Sequence, residues 1–186
     1  GASVVNERTE ITHKVTGEKF ETTALIQAVN NDQHSAVELL LERKANPNMA
    51  DSCGFTPLMT AANGGRLPIL RTLLDRKAIA IDAVYPETGC TAFHLACCQG
   101  HSDCAVELAR RGCDMTLRTK CGMTGKQLAE REKHMAVLEG LRALVVEQLR
   151  ARQQLMTTAD ELCIAAKKGD CGKLRELLDG CGGSVV

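Results

Sequence analysis

Apolar positions along this chain recur three and four residues apart in short blocks, which is the spacing of one face of an α-helix. One block contains Ile69, Leu70, Leu73 and Leu74. A longer stretch over residues 127–155 keeps the same spacing, at Leu128, Met135, Leu138, Leu141, Val145 and Leu149. No apolar run approaches the ~20 residues needed to cross a bilayer. The pattern therefore predicts a protein of amphipathic helices with no membrane span.

A second pattern, alternation of side-chain character, precedes the first helical block. The residues that alternate on the two sides of Thr16-Gly17 are Ile11, His13, Val15, Lys19 and Glu21. Alternation around a turn-forming pair is typical of two antiparallel strands. The region therefore predicts an extended hairpin.

The helical blocks belong to a repeating unit that begins with threonine. Four such threonines, spaced by 33, 35 and 33 residues, are Thr23, Thr56, Thr91 and Thr124. The hydroxyl of Thr56 can cap a helix, and Pro57 fits the first helical position, where no amide partner is lost. Gly64-Gly65 and Gly100 can form the turn between two helices, because glycine tolerates left-handed backbone. The unit is therefore predicted to be helix, turn, helix.

This unit resembles the ankyrin repeat, whose period is about 33 residues. The fullest copy, from Asp51 to Gly65, reads DSCGFTPLMTAANGG. Where the family has proline after threonine, two copies have Ala24 and Ala92, and the fourth copy is degenerate at Gly125-Lys126. The resemblance implies an all-α dominated repeat solenoid, an ankyrin helix-turn-helix stack with β-hairpin fingers.

We predict three segments along the chain. Residues 3–141 hold ankyrin repeats with an extended first finger, residues 142–156 form a capping or connecting helix, and residues 157–186 form a helix pair that resembles an N-terminal ankyrin repeat. Thr158 and Glu161 have the spacing of a capping box at a helix start. The last three residues repeat residues 3–5. This order predicts a circularly permuted or rearranged chain; the alternative is a separate terminal helix pair and a chance match.

Composition bears on the class of partner and on the compartment. The 23 basic side chains balance the 23 acidic ones, and only 2% of residues are aromatic, which argues against nucleic acid and anionic membranes as partners. The ten cysteines include no Cys-x-x-Cys pair and accompany no signal-peptide pattern, so an intracellular, cytoplasmic location is expected. Cys97, Cys104 and Cys163 are interpreted as small buried hydrophobes.

Motifs for catalysis and cofactor binding are missing from the sequence. It contains no phosphate-binding glycine loop, dinucleotide fingerprint or nucleophile elbow. His94, Cys97 and Cys98 could share a helical face, but a closed zinc site needs four ligands, and His94 and His101 match structural histidines of the family. We therefore predict that the chain is not an enzyme and has no catalytic, cofactor or metal site.

Binding of another protein is the remaining function, and the resemblance implies that it uses the concave surface of finger tips and inner helices. The predicted partner-binding residues are Ser52, Phe55, Thr60, Asn63, Tyr85, Glu87, Leu95, Gln99, Lys120 and Met123. Phe55, Tyr85 and Met123 are the expected anchors, because large apolar groups dominate interface energies. The alternative is that they pack between adjacent fingers. Three uses stay open: an adaptor, a regulatory domain of a larger enzyme or channel, and a unit that self-assembles through residues 157–186.

Overall fold

The computed structural model describes residues 4–12 and 19–181. It divides into two compact units, the first ending at Arg142 and the second beginning at Ala143. The elements in chain order are a 3-10 helix (Val4–Asn6), β1 (Arg8–Thr12), β2 (Lys19–Thr23), α1 (Ala24–Asn30), α2 (His34–Glu42), α3 (Pro57–Asn63), α4 (Leu67–Leu74), α5 (Ala92–Gln99), α6 (Ser102–Arg110), α7 (Gly125–Arg131), α8 (Met135–Lys168) and α9 (Cys171–Cys181). Within these two ranges, no helix combines the length and hydropathy that crossing a membrane requires.

A threonine caps the inner helix of each of four pairs in the first unit. The Thr56 hydroxyl accepts a hydrogen bond of 3.2 Å from the amide of Met59, and Pro57 is the first helical residue. The equivalent bond forms at Thr23, Thr91 and Thr124. At Thr124 the Gln127 side chain accepts in return from the threonine amide, at 2.9 Å. The fourth copy therefore starts its helix in the same way as the others, although its sequence departs from the pattern.

The turn between paired helices has one geometry throughout. In the α3–α4 pair, Gly65 adopts a left-handed φ of +67°, and the amide of Arg66 donates to the Ala61 carbonyl at 2.9 Å. The residues with positive φ at this position in the other pairs are Asp32, Gly100, Lys133 and Gly169. The matching amide-to-carbonyl bonds measure 2.9 or 3.0 Å at Gln33, His101, His134 and Asp170. Five helix pairs therefore share one turn, and the fifth joins the end of α8 to α9.

The first unit is a stack of helix pairs in two rows. The inner helices α1, α3, α5 and α7 pack side by side, and the outer helices α2, α4 and α6 form a second row. Ala61, Ala96 and Ala129 are fully buried on the inner helices, where their small side chains let the backbones approach. Larger side chains fill the space between the rows, and full burial of one leucine contributes about 1.5–3 kcal/mol. This confirms the repeat solenoid.

The hairpin before α1 agrees with the alternating pattern. Strand β1 pairs antiparallel with β2, in a register that runs from Arg8 opposite Thr23 to Thr12 opposite Lys19. The predicted turn, with His13, Val15 and Thr16-Gly17, lies outside the described residues.

In the second unit, two details of the sequence interpretation are wrong. Helix α8 runs without a break through Thr158, whose hydroxyl donates to the Gln154 carbonyl at 2.7 Å, so no helix begins there. Cys163 is exposed and not a core residue. Among the described residues of this unit, the buried apolar side chains are Leu144 and Ala165.

Candidate interaction surface

Three loops project from the first unit next to the β1–β2 hairpin; we call the hairpin the first finger and residues 46–55, 79–90 and 114–123 the second, third and fourth fingers. A backbone hydrogen bond closes each loop: Asp51 donates to Phe55 at 3.0 Å, Tyr85 to Cys90 at 2.8 Å and Thr119 to Met123 at 2.9 Å. The Asp51 carboxylate also accepts from the Phe55 amide at 2.8 Å. The tips are therefore held in defined turns.

Neighbouring fingers are bonded to one another. The amide of Ser52 donates to the Glu21 carbonyl at 2.8 Å, and the Glu21 amide donates to the Ser52 hydroxyl at 2.9 Å. The amide of Lys120 donates to the Thr88 carbonyl at 2.8 Å. Gly54 has a φ of +93°, and a Cβ there would lie 2.7 Å from Pro86. The second and third fingers are thus too close at this point for any other residue.

An aromatic pair joins the second and third fingers. The rings of Phe55 and Tyr85 lie 4.5 Å apart between centroids and are tilted by 54°. Both side chains are half-buried, so each packs on its neighbour and keeps one part accessible. Packing between fingers and an accessible apolar surface are therefore both present at these two residues.

A carboxylate fixes the phenol of this pair. The Tyr85 hydroxyl donates to the Glu87 carboxylate at 2.6 Å. This hydrogen bond, followed by burial and the negative charge of Glu87, raises the pKa of Tyr85 to about 12. The phenol stays protonated at physiological pH, and the pair presents an apolar face with an acidic edge.

The ten predicted partner-binding residues differ in accessibility. Ser52, Asn63, Glu87, Gln99 and Lys120 are exposed. Phe55, Tyr85, Leu95 and Met123 are half-buried. Thr60 is the exception, because it is only 7% exposed and its hydroxyl donates to the Thr56 carbonyl at 3.0 Å. Thr60 therefore offers a partner almost no surface.

Met123, the third expected anchor, contacts a different kind of residue from the aromatic pair. Its sulfur is 3.7 Å from the Arg131 guanidinium. The fourth finger thus ends in a half-buried thioether beside a cation, whereas the second and third end in aromatic rings beside a carboxylate.

The histidines at repeat positions have structural roles. His94 is buried; its Nδ1 accepts from the Thr91 amide at 3.2 Å, and its Nε2 lies 3.0 Å from the Leu117 carbonyl. Burial lowers the pKa of His94. His101 and His134 each bond a carbonyl of the preceding inner helix, Asn63 at 3.1 Å and Cys98 at 2.9 Å. Arg66 does the same to Asn30 at 2.6 Å.

The thiols of the core are buried, and burial disfavours their charged form. Cys97 and Cys104 are fully buried, as predicted. Burial raises the pKa of Cys97 to about 12 and that of Cys104 to about 11. Over the described ranges, no group of three or more histidine, cysteine or acidic side chains is arranged to hold a metal ion.

A cluster of charges on the outer helices was not predicted from the sequence. The Glu107 carboxylate, on a residue only 8% exposed, lies 3.2 Å from Arg71 and 3.1 Å from Arg111. Arg111 also contacts Asp75 at 2.8 Å. The spacing of Glu107 and Arg111 was the available signal, since residues four apart meet on a helix. The contacts with Arg71 and Asp75 cross between repeats and could not be read from spacing.

The family profile for ankyrin repeats (three copies) matches residues 6–83 and 25–119. The Drosophila melanogaster ankyrin repeat and KH domain-containing protein mask is 36% identical over 105 residues, 56% of this chain and 3% of that protein. The human ankyrin repeat and KH domain-containing protein 1 is 37% identical over 107 residues, 58% of this chain and 4% of that protein.

A human channel protein is also similar. Transient receptor potential cation channel subfamily A member 1 is 29% identical over 113 residues, 61% of this chain and 10% of that protein. The chain therefore matches a small part of each relative's length. With the family profile covering more than half of the sequence and the helix pairs arranged as described, the chain belongs to the ankyrin repeat family.

Proposed function

We propose that this chain is a non-enzymatic protein-interaction module that holds its partner on the surface of the finger tips and inner helices. The carrying observation is the Phe55–Tyr85 pair, because the sequence has four aromatic residues in all and two of them stand half-exposed on adjacent fingers. Half-exposed rings on rigid loops are a common anchor in protein interfaces. Ser52, Asn63, Glu87, Leu95, Gln99, Lys120 and Met123 surround them as the proposed contact surface. Thr60 is left out.

The class of partner is inferred from the balance of charges and from the small number of aromatic residues that could stack on bases. Equal numbers of acidic and basic side chains give no net field toward nucleic acid or an anionic membrane. We therefore propose a protein partner and no cofactor. The nine cysteines whose side chains the structure describes are free, which favours a reducing, intracellular compartment.

The proposal is tested by affinity capture with three forms of the chain. The first is wild type and the second is Phe55→Ala/Tyr85→Ala/Met123→Ala. The third is a control, Glu42→Ala/Lys77→Ala/Asp103→Ala, which changes exposed residues of the outer helices and their ends. We expect quantitative mass spectrometry to find proteins that bind the wild type and the control but are lost from the finger variant. If the finger variant retains every bound protein, the assignment to the finger surface is wrong.

A second use is regulation within a longer protein. The relatives support it, since the matched segment is a small part of each and the name of one of them is that of a cation channel.

A third use is self-association through the helix pair of residues 157–186. One observation on the second unit favours it, because most of its apolar side chains are uncovered. Those exposed are Leu155, Met156, Ile164 and Leu178.

A further inference from the structure

We infer that the last helix pair, α8 from residue 160 together with α9, stacks on the α1–α2 pair of a second copy as an additional ankyrin repeat. The inference deepens the proposed self-association and is independent of the finger surface. Two uncovered faces carry it, one on the last helix pair and one on the first repeat. The equivalent faces inside the first unit are covered by the neighbouring repeat.

The last helix pair has the geometry of a repeat. Its turn residue Gly169 has a φ of +70°, and the amide of Asp170 donates to the Ala165 carbonyl at 3.0 Å, as at the turns of the first unit. Ala165 is buried, as is Ala96 at the equivalent position of the third repeat. This register aligns Leu162 with Phe93, Ala166 with Cys97 and Leu178 with Leu74.

The forward side of a repeat, which faces the following repeat, is covered within the stack. A Cβ on Gly125 of the fourth repeat would lie 2.6 Å from the Phe93 ring and 3.2 Å from the Cys97 sulfur. Phe93 and Cys97 are buried for this reason. On the last helix pair the equivalent Leu162 is half-buried and Ala166 is exposed. The forward side of the last pair is therefore open.

The turn of the last pair is open in the same direction. Inside the stack, an added Cβ at Gly65 would meet His101 at 2.6 Å, and one at Gly100 would meet His134 at 2.7 Å. Each histidine belongs to the following repeat and bonds a carbonyl beside the glycine. Around Gly169 a Cβ would meet no atom of the described residues within 4 Å. In a second copy, the residue in the place of these histidines is Gln33, whose amide can donate to a carbonyl.

The first repeat is open on the opposite, rear side. Ala24 is exposed, although the equivalent Ala92 of the third repeat is buried. Leu40 is half-buried where Leu73 has no exposed surface. Leu39 on the same helix is 51% exposed. These are the positions that a preceding repeat would cover, so the two open faces are complementary in the register of the stack.

Charge complementarity favours a second copy as the occupant. Between the second and third repeats, Asp75 pairs with Arg111 at 2.8 Å. The same register places Asp179 of one copy opposite Arg43 of the next. A head-to-tail contact of this kind produces rings when it closes and filaments when it does not.

The test uses two substitutions of exposed alanines, one on each face. Ala24→Arg blocks the rear side of the first repeat, and Ala166→Arg blocks the forward side of the last pair. Ala151→Arg is the matched control, an exposed alanine of α8 outside the repeat register. Sedimentation velocity and light scattering should show concentration-dependent assembly of wild type and control. A charge buried without a partner should weaken association more than about 100-fold, so each blocked variant should be a monomer.

The mixture of the two blocked variants gives the decisive result. Ala24→Arg keeps an intact last pair and Ala166→Arg keeps an intact first repeat, so equal amounts should form a dimer that grows no further. A monomeric wild type at every accessible concentration, or a mixture that stays monomeric, overturns the inference. Circular dichroism confirms that each variant is folded. Partner capture by the Ala166→Arg variant should be unchanged, which separates this result from the fate of the finger surface.

Discussion

At the residue scale, the positions that resemble catalytic or metal-binding groups are explained by hydrogen bonding. His94 is the clearest case, since the Leu117 carbonyl can only accept and therefore places the proton on Nε2. Its Nδ1 then accepts from the Thr91 amide at the start of α5. Both nitrogens of a neutral imidazole are satisfied in this arrangement, and an imidazolium would lose one of the two bonds.

We predict from this that acid destabilises the protein through His94. Burial lowers the pKa of His94 in the folded chain, whereas the unfolded chain keeps the usual value near 6.5. Below that value the unfolded state binds one more proton than the folded state. The free energy of unfolding therefore decreases as the pH is lowered, by up to about 1.4 kcal/mol per pH unit. Urea unfolding between pH 7.5 and 5 measures this. His94→Gln should flatten the dependence; an unchanged slope in that variant would contradict the prediction.

At the element scale, the helix pairs share one turn, and within the stack the following repeat covers the turns at Gly65 and Gly100. Gly100 shows both requirements, because its φ is +77° and an added Cβ would lie 2.7 Å from the His134 ring. Asp32 and Lys133 occupy the same position with a φ of +54° and +61°, so the left-handed backbone by itself does not exclude a side chain. The need for glycine is therefore decided by the neighbour as much as by the backbone.

The pair Gly100 and Gly112 separates these two effects. Gly112 has a φ of +82°, and in the described part of the chain no atom lies within 4 Å of an added Cβ. Gly112→Ala therefore has only the cost of the left-handed backbone, about 1–2 kcal/mol. Gly100→Ala should lose more, because it also displaces the His134 bond to Cys98. Thermal or urea unfolding measures both. Adding His134→Ala to Gly100→Ala should cost less than the sum of the single changes. If both glycine variants lose the same free energy of unfolding, the His134 side chain moves aside at no cost and the prediction is wrong.

At the scale of the whole molecule, stability is unevenly distributed between the two units. The first unit buries apolar side chains on each of its helix pairs, whereas the second has two buried apolar side chains, Leu144 and Ala165, among its described residues. A helix pair that covers so little apolar surface opens at low free energy. A partner that covers its open face would protect it.

Hydrogen exchange followed by mass spectrometry should report this difference. In dilute protein, amides of α9 should exchange much faster than those of α3 to α6, because local opening of α9 exposes few apolar groups. Raising the concentration of wild type should slow exchange in α9 and α2 together. The Ala166→Arg variant should show no such change. Slow exchange of α9 in dilute monomer would mean that the second unit is stable by itself.

The sequence by itself determined the local features of each repeat. The capping threonines, the proline of α3, the turn glycines and the apolar spacing act within a few residues, so they could be read without knowledge of the fold. Two of its expectations differ from the structure: Thr158 has the pattern of a cap but lies inside a continuous helix, and Thr60 is only 7% exposed.

Only the tertiary structure decided which residues meet between repeats. The Phe55–Tyr85 pair, the Glu107 cluster and the histidine bonds join residues about 30 to 40 positions apart, and no spacing rule connects them. The open faces at α1–α2 and at α9 are likewise a property of stacking, since burial depends on which neighbour is present. The sequence thus specified the repeat, and packing between neighbouring repeats decided which of its surfaces are exposed.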